Sequence, residues 1–157
     1  MRVGQGFDVH PFSPDPARVL VLGGVALDGP GLTGHSDADV VAHAVADALL
    51  GAAGLGDMGQ HFPDTDPAWA GADSLVLLRQ VVALLGPDWG VANVDCSVVL
   101  EAPKLAPHRA AMEAALSAAV GAPVSVKATR AEGLGAIGRG EGIACWAVAL
   151  LESKGGS

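Results

Sequence analysis

Tyrosine is absent from these 157 residues, and aromatic side chains of all kinds make up only 4%. A core can still form, but it must be filled by Ala, Val and Leu at close approach. Basic residues are also scarce. Nine Lys and Arg stand against seventeen Asp and Glu, a formal charge of −8, so no basic stripe is available to release phosphate counterions, which argues against a nucleic-acid partner. The only two cysteines, Cys96 and Cys145, form no CxxC pair and lie in apolar, strand-like stretches; they read as buried reduced thiols, neither a disulfide nor a nucleophile. No segment reaches membrane-spanning length without Gly, Pro or charge, and residues 1–6 lack the apolar core of a secretory signal, so a soluble, cytoplasmic protein with no membrane partner is expected.

What is present fits one domain, residues 1–157, with no internal boundary, repeat or low-complexity tract. Residues 2–9 and 19–22 read as strands about a Pro-rich turn. A helix follows over 37–53, ending at Gly51, Gly54 and Gly56, and then a motif-rich loop over 57–66. Asp73 or Ser74 caps a second helix through Leu85. Residues 91–100 alternate, with Val94, Cys96, Val98 and Leu100 on one face. Pro107 falls at a first helical position, and Met112, Leu116 and Val120 give a third helix its stripe. Val124, Val126 and Ala128 form another strand, a glycine-rich loop follows, and residues 143–151 are almost wholly apolar, with 152–157 as a frayed tail. The expected fold is α/β (α+β): a mixed sheet with helices on one face. Three helices cover only one face, so the other requires a second copy of the chain, an obligate homo-oligomer with sheets packed face to face.

The chemistry concentrates in two short clusters. Asp8 and His10 are two apart on a strand and therefore point the same way. His35-Ser36-Asp37-Ala38-Asp39 leads into the apolar helix, with Ser36 or Asp37 as its cap and His43 about two turns along. A lone helical histidine is usually an ordinary core or surface residue. Here three of the five histidines sit beside acids within the first 43 positions, and Asp8, His10 and His43 make a plausible set for one divalent metal. Three protein ligands leave a tetrahedral zinc an open position, the mark of a reacting metal.

Phosphate has two candidate places. Residues 133–138 satisfy GxGxxG, but a strand follows in place of a helix and the chain ends too soon for a ribose-binding acid, so a dinucleotide site fails on context. A flexible, anion-accessible loop holding Arg139 and a plain connection between strands both remain open. His35 and Ser36, at the start of the metal helix, are better motivated, because unpaired N–H groups and the dipole favour an anion there. Lys104, Lys127, Arg130 and Arg139 supply local cations in the second half of the chain.

Ordered motifs then run almost end to end: Gly6-Phe7-Asp8-Val9-His10, His35 through His43, Asp57-Met58-Gly59, Phe62-Pro63-Asp64-Thr65-Asp66, Ala102-Pro103-Lys104, Lys127-Ala128-Thr129 and Gly138-Arg139-Gly140-Glu141-Gly142. In these the chain resembles the 2-C-methyl-D-erythritol 2,4-cyclodiphosphate synthase family of non-mevalonate isoprenoid biosynthesis. The resemblance implies a homotrimer with active sites at subunit interfaces. It also implies a lyase reaction in which 4-diphosphocytidyl-2-C-methyl-D-erythritol 2-phosphate closes to the cyclic diphosphate and expels CMP. By that likeness Asp8, His10 and His43 hold one zinc per subunit, Asp8 and His10 also meeting substrate, and Glu132 holds magnesium or manganese between the substrate phosphates. His35 acts in catalysis and with Ser36 positions the 2-phosphate. Asp57, Met58, Gly59, Phe62, Pro63, Asp64, Thr65 and Asp66 grip the erythritol. Leu100, Glu101, Ala102, Pro103, Lys104, Leu105 and Ala106 line the cytosine pocket, and Thr129 and Arg139 contact the diphosphate.

Two departures stand out. The family usually reads Lys-Ala-Thr-Thr-Thr-Glu where this chain has Lys127-Ala128-Thr129-Arg130-Ala131-Glu132, so Arg130 replaces a threonine credited with transition-state support, and either strengthens phosphate binding or shifts the loop by its bulk. Ala136 stands where a phenylalanine commonly packs near the nucleotide. Two rivals to the lyase remain at this level: a zinc-dependent phosphate-ester hydrolase, and a non-catalytic oligomer with a structural metal.

Overall fold

A computed structural model describes residues 1–154. Its central sheet has the order β1-β6-β4-β5. The strands are β1 (Arg2–Pro11), β4 (Trp89–Val99), β5 (Val124–Thr129) and β6 (Gly142–Ser153). β6 runs antiparallel to both β1 and β4, whereas β4 and β5 are parallel and joined through the helix α4 (Arg109–Val120). The sheet is mixed, as expected. A short hairpin, β2 (Leu20–Leu22) with β3 (Val25–Leu27), stands apart from it; three residues are too few for β3 to show a period in the sequence.

Helix α1 (Val40–Ala53) lies on β1 and β6, and its residues are buried almost all round. The strand beneath explains how. Gly4, Gly6, Asp8 and His10 share one face of β1, and a Cβ on Gly4 or Gly6 would run into the Ala48 or Ala44 carbonyl oxygen. Two glycines thus let α1 settle onto the strand. The next two residues of that face, Asp8 and His10, then emerge at the helix start. At the far end Arg2 Nη1 donates to the Ala53 carbonyl at 3.0 Å, and Gly54 takes the left-handed conformation that closes the helix.

The cap of α1 is neither Ser36 nor Asp37. Ala38 sits at φ +58°, so the chain cannot be helical there, and Asp39 accepts from Val41 and Ala42 N–H. His43 is therefore the fourth helical residue, at the end of the first turn. Asp73 caps α3 (Ser74–Leu84). Pro107 lies in a turn before α4, which starts at Arg109 and buries Met112, Leu116 and Val120 as anticipated. The two loops contain single-turn helices, α2 (Met58–His61) and α5 (Gly135–Gly138). Glu152 and Ser153 belong to β6, so that part of the supposed tail is paired; residues 155–157 lie outside the described residues.

The helices cover one face of the sheet. Opposite, Phe7 and Trp146 are each 43% exposed, ring centroids 4.7 Å apart, with Val3, Val9 and Val148 beside them. β6, apolar from Gly142 to Leu151, thus leaves Trp146 and Val148 of one face uncovered within a single chain. Cys96 and Cys145 are free and buried under α1's side of the sheet. Among the described residues no helix is long and apolar enough to cross a membrane.

Candidate metal centre and substrate cavity

The end of β1 and the first turn of α1 bring Asp8, His10 and His43 together, with one ligand atom from each within 4.8 Å of the others. Asp8 Oδ2 lies 3.0 Å from His10 Nε2 and 3.0 Å from His43 Nδ1. His10 is oriented from behind: its Nδ1 stands 2.7 Å from the Thr33 carbonyl, which can only accept, so Nδ1 keeps a proton and Nε2, facing Asp8, is the nitrogen left for a metal. Burial pushes the Asp8 carboxyl up, but hydrogen bonds to His10 and His43 outweigh it and hold the group far below the usual carboxylate range. For His10, burial pulls down and the Asp8 carboxylate more than restores it, leaving the imidazole above its ordinary value. A carboxylate and two imidazole nitrogens facing one point form a donor set of the kind that holds zinc once the nitrogens give up their protons to it. The chemistry of these residues fits the ion.

The three ligands sit in the floor of a cavity of about 540 Å³. His35, Ser36, Met58, Gly59, Phe62, Pro63 and Asp64 line it. Asp57, Thr65 and Asp66 are not on its wall: Asp57 caps α2 through Gln60 N–H, and Asp66 accepts from His35 Nε2 through its carbonyl at 3.0 Å. The anion reading of the helix start needs correction. The Val41 and Ala42 N–H groups are already taken by Asp39, which also accepts from Gly23 (2.8 Å) and Gly24 (2.6 Å). Those two N–H groups are therefore not free to meet an anion.

Four lining residues were not singled out from sequence: Gly34, Asp47, Trp69 and Leu77. Asp47 had a usable signal, standing four residues after His43 on the same helical face. It accepts from Met58 N–H at 2.8 Å, and burial raises its pKa against that bond's pull. Arg18 was also missed. Its guanidinium donates to the Leu32, Gly34 (2.9 Å) and Ser36 carbonyls, clamping the segment that carries His35 and the Thr33 carbonyl behind His10.

A second cavity of about 250 Å³ gathers Leu100, Glu101, Pro103, Lys104, Leu105, Ala106, Thr129 and Arg130. Ala102, joined to Pro103 by a cis peptide bond, faces a neighbouring depression with Phe12 and Pro30. Arg130 Nε is 3.4 Å from Glu101 Oε2, and Glu101 Oε1 accepts from Ala131 N–H at 2.9 Å. Lys127 pairs with Asp95 across β4 and β5. Glu132, at φ +54°, is exposed, as is Arg139, which pairs with Glu141 at 2.6 Å; neither lines either cavity. The two cavities share no residue.

The fold and site define a single-domain α+β protein whose candidate metal ligands, Asp8, His10 and His43, converge in a cavity. The model of the YgbB family matches residues 1–152, and the chain belongs to that family. A 2-C-methyl-D-erythritol 2,4-cyclodiphosphate synthase from Synechococcus sp. (strain CC9311) is 57% identical over 98% of this chain and 95% of its own. Among solved structures, the bifunctional IspDF of Campylobacter jejuni superposes with a TM-score of 0.91 at 40% identity, covering 97% of this chain and 42% of that longer one. The Plasmodium falciparum IspF–CDP complex superposes with a TM-score of 0.85 at 33% identity over 98% of this chain and 97% of its own.

Proposed function

We propose that the protein is a 2-C-methyl-D-erythritol 2,4-cyclodiphosphate synthase acting in non-mevalonate isoprenoid biosynthesis. It converts 4-diphosphocytidyl-2-C-methyl-D-erythritol 2-phosphate to the 2,4-cyclodiphosphate and CMP. The observation that carries this reading is the convergence of Asp8, His10 and His43 in the floor of the cavity that His35 and Ser36 also line. The relatives named as such synthases, at more than half identity over nearly the whole chain, support it.

The reaction is an intramolecular transfer. A 2-phosphate oxygen bonds to the β-phosphorus, the bond from that phosphorus to the bridging oxygen breaks, and CMP departs with the bridging oxygen; no water is consumed. Two mutually repelling phosphates must be held in line while charge builds on the leaving group. Asp8, His10 and His43 would hold zinc, which supplies Lewis-acid polarisation of a phosphoryl oxygen. His35 and Ser36 hold the 2-phosphate, His35 also stabilising charge in the transition state. Met58, Gly59, Phe62, Pro63 and Asp64 enclose the erythritol, assisted by Asp57, Thr65 and Asp66 from the edge. Leu100 to Ala106 accept the cytosine; the CDP complex of the Plasmodium relative supports a cytidine-nucleotide ligand. Thr129, Arg130 and Arg139 meet the diphosphate, and Glu132 would hold magnesium or manganese through its hard carboxylate oxygens.

The assembly proposed is a homotrimer, supported by the bare apolar face of β1 and β6. Because the two cavities are separate in one chain, a nucleotide pocket from one subunit completes a metal pocket from the next, and a lone subunit is inactive. Incubating the protein with the diphosphocytidyl substrate and following phosphorus resonances tests the activity. A cyclic diphosphate with CMP is expected; linear phosphate esters would instead establish a hydrolase. Sedimentation of the same sample tests the trimer.

A further inference from the structure

We propose that Ser74 and Asp37 are positioning residues that fix the tautomer of His43, so that its Nδ1 presents a lone pair to the metal; this rests on reading Asp8, His10 and His43 as the metal centre. His43 Nε2 lies 2.8 Å from Ser74 Oγ and 3.2 Å from Ser36 Oγ. A serine hydroxyl has a single proton. That of Ser74 is given to Asp37 Oδ1, an acceptor with no proton of its own to offer. Ser74 therefore shows His43 only lone pairs, and Nε2 must be the protonated nitrogen. Nδ1 faces Asp8 Oδ2 at 3.0 Å, and with Nε2 held protonated from behind it is the Nδ1 proton that a metal displaces, giving Nδ1 a lone pair for the ion.

Asp37 is held so that the direction cannot reverse. Its Oδ2 accepts Ser74 N–H at 3.1 Å, its Oδ1 accepts Asp39 N–H at 3.2 Å, and its own N–H donates to the Ala72 carbonyl at 3.0 Å. Ser74 is only 1% exposed, and neither it nor Asp37 lines the cavity. They touch no substrate and act only through the imidazole. The arrangement has a consequence for Ser36. Its oxygen accepts from Ala38 N–H at 3.1 Å and, at longer range, from His43, so its own proton stays available to a group in the cavity. A chain of donors running His43 to Ser74 to Asp37 thus orients a ligand on one side and frees a hydroxyl donor on the other.

The test compares wild type, Ser74→Ala, Ser74→Thr and Asp37→Asn by zinc affinity in competition with a chelator, and by histidine nitrogen-15 correlation spectra of the zinc-loaded protein. Wild type is expected to bind zinc and to show a protected, downfield proton on His43 Nε2. Ser74→Ala should lose that proton signal and about ten- to hundred-fold in zinc affinity, the range for loss of such a supporting partner. Ser74→Thr, which keeps the hydroxyl, should recover both. Asp37→Asn, whose amide can donate to Ser74 and turn the hydroxyl round, should weaken zinc as Ser74→Ala does while its melting temperature stays near that of Ser74→Thr. Unchanged zinc affinity in Ser74→Ala and Asp37→Asn, or a proton on Nδ1 in wild type, would overturn the inference. Failure of wild type itself to bind zinc would overturn the metal reading and the inference with it.

Discussion

Asp39→Ala is expected to cost about 3 kcal/mol of stability, an amount that follows from what its carboxylate holds. Asp39 is 0% exposed and accepts four N–H groups, two at the start of α1 and two from the Gly23-Gly24 turn of the β2–β3 hairpin. Loss of the helix cap accounts for about 1 kcal/mol. The Gly23 N–H is buried and would be left without its acceptor, a further cost of about 2 kcal/mol, whereas the exposed Gly24 N–H can turn to water. Burial pushes this carboxyl's pKa up while the surrounding N–H groups pull it down, so removal also relieves a desolvation penalty and keeps the total from rising further. In a domain of this size the change corresponds to a fall in melting temperature of about 6–12 °C. Urea and thermal unfolding at fixed protein concentration, followed by far-ultraviolet circular dichroism, measure it. Asp39→Ser, which keeps a short capping oxygen, should recover about 1 kcal/mol. Since His43 N–H bonds to the Asp39 carbonyl at 3.0 Å, fraying there should weaken metal binding as well. A loss below about 1 kcal/mol for Asp39→Ala would refute the reasoning, because one cap alone would then explain it.

Gly6→Ala forces α1 off β1 and should destabilise by about 1–3 kcal/mol by overpacking, read by urea midpoint, with a parallel loss of zinc affinity. Stripping the metal with a chelator should lower the melting temperature, and restoring zinc to about a hundredfold above its dissociation constant should return about 2.7 kcal/mol. The Lys127 ammonium beside Asp95 holds that carboxyl below its ordinary 3.8, so its contribution is full above the unfolded value and fades as pH falls through the folded one. Lys127→Met should therefore flatten the acid limb of the stability curve by less than about 1 kcal/mol, both groups being largely exposed. Arg130→Thr should leave stability within about 1 kcal/mol, since its pairing with Glu101 is exposed, yet raise KM for the nucleotide substrate about tenfold; an unchanged KM would show that Arg130 meets no phosphate.

The legible parts of the chain were those where neighbours in sequence share a fate. Asp8 and His10 were read correctly because two-residue alternation is a property of any strand, and Met112, Leu116 and Val120 because helical spacing is equally local. The cap of α1 was misread for a long-range reason. Ser36, Asp37 and Asp39 are all good capping types, and what selects Asp39 is the Gly23-Gly24 turn, sixteen residues back, together with the left-handed Ala38. The roles of Arg18 and of Ser74, which read only as a possible helix cap, were invisible for the same reason, since each acts on a segment distant in sequence, and only the fold places the three carbonyls or the imidazole within reach.

The glycines of β1 connect these levels. A larger residue at Gly4 or Gly6 would hold α1 away from the sheet, and His43 could no longer reach a carboxylate set by the strand's own alternation. Close packing of helix on strand, made possible by side chains that are missing, therefore fixes the separation of ligands whose chemistry depends on side chains that are present. The same scarcity of bulky groups leaves the opposite face flat, with Phe7 and Trp146 its large exposed aromatics. That face cannot be covered from within, because α1, α3 and α4 lie on the other side of the sheet. A chain that brings Asp8, His10 and His43 together by close packing on one side is left with an apolar surface on the other, and in the proposed trimer that surface would be the route by which the second cavity approaches the first.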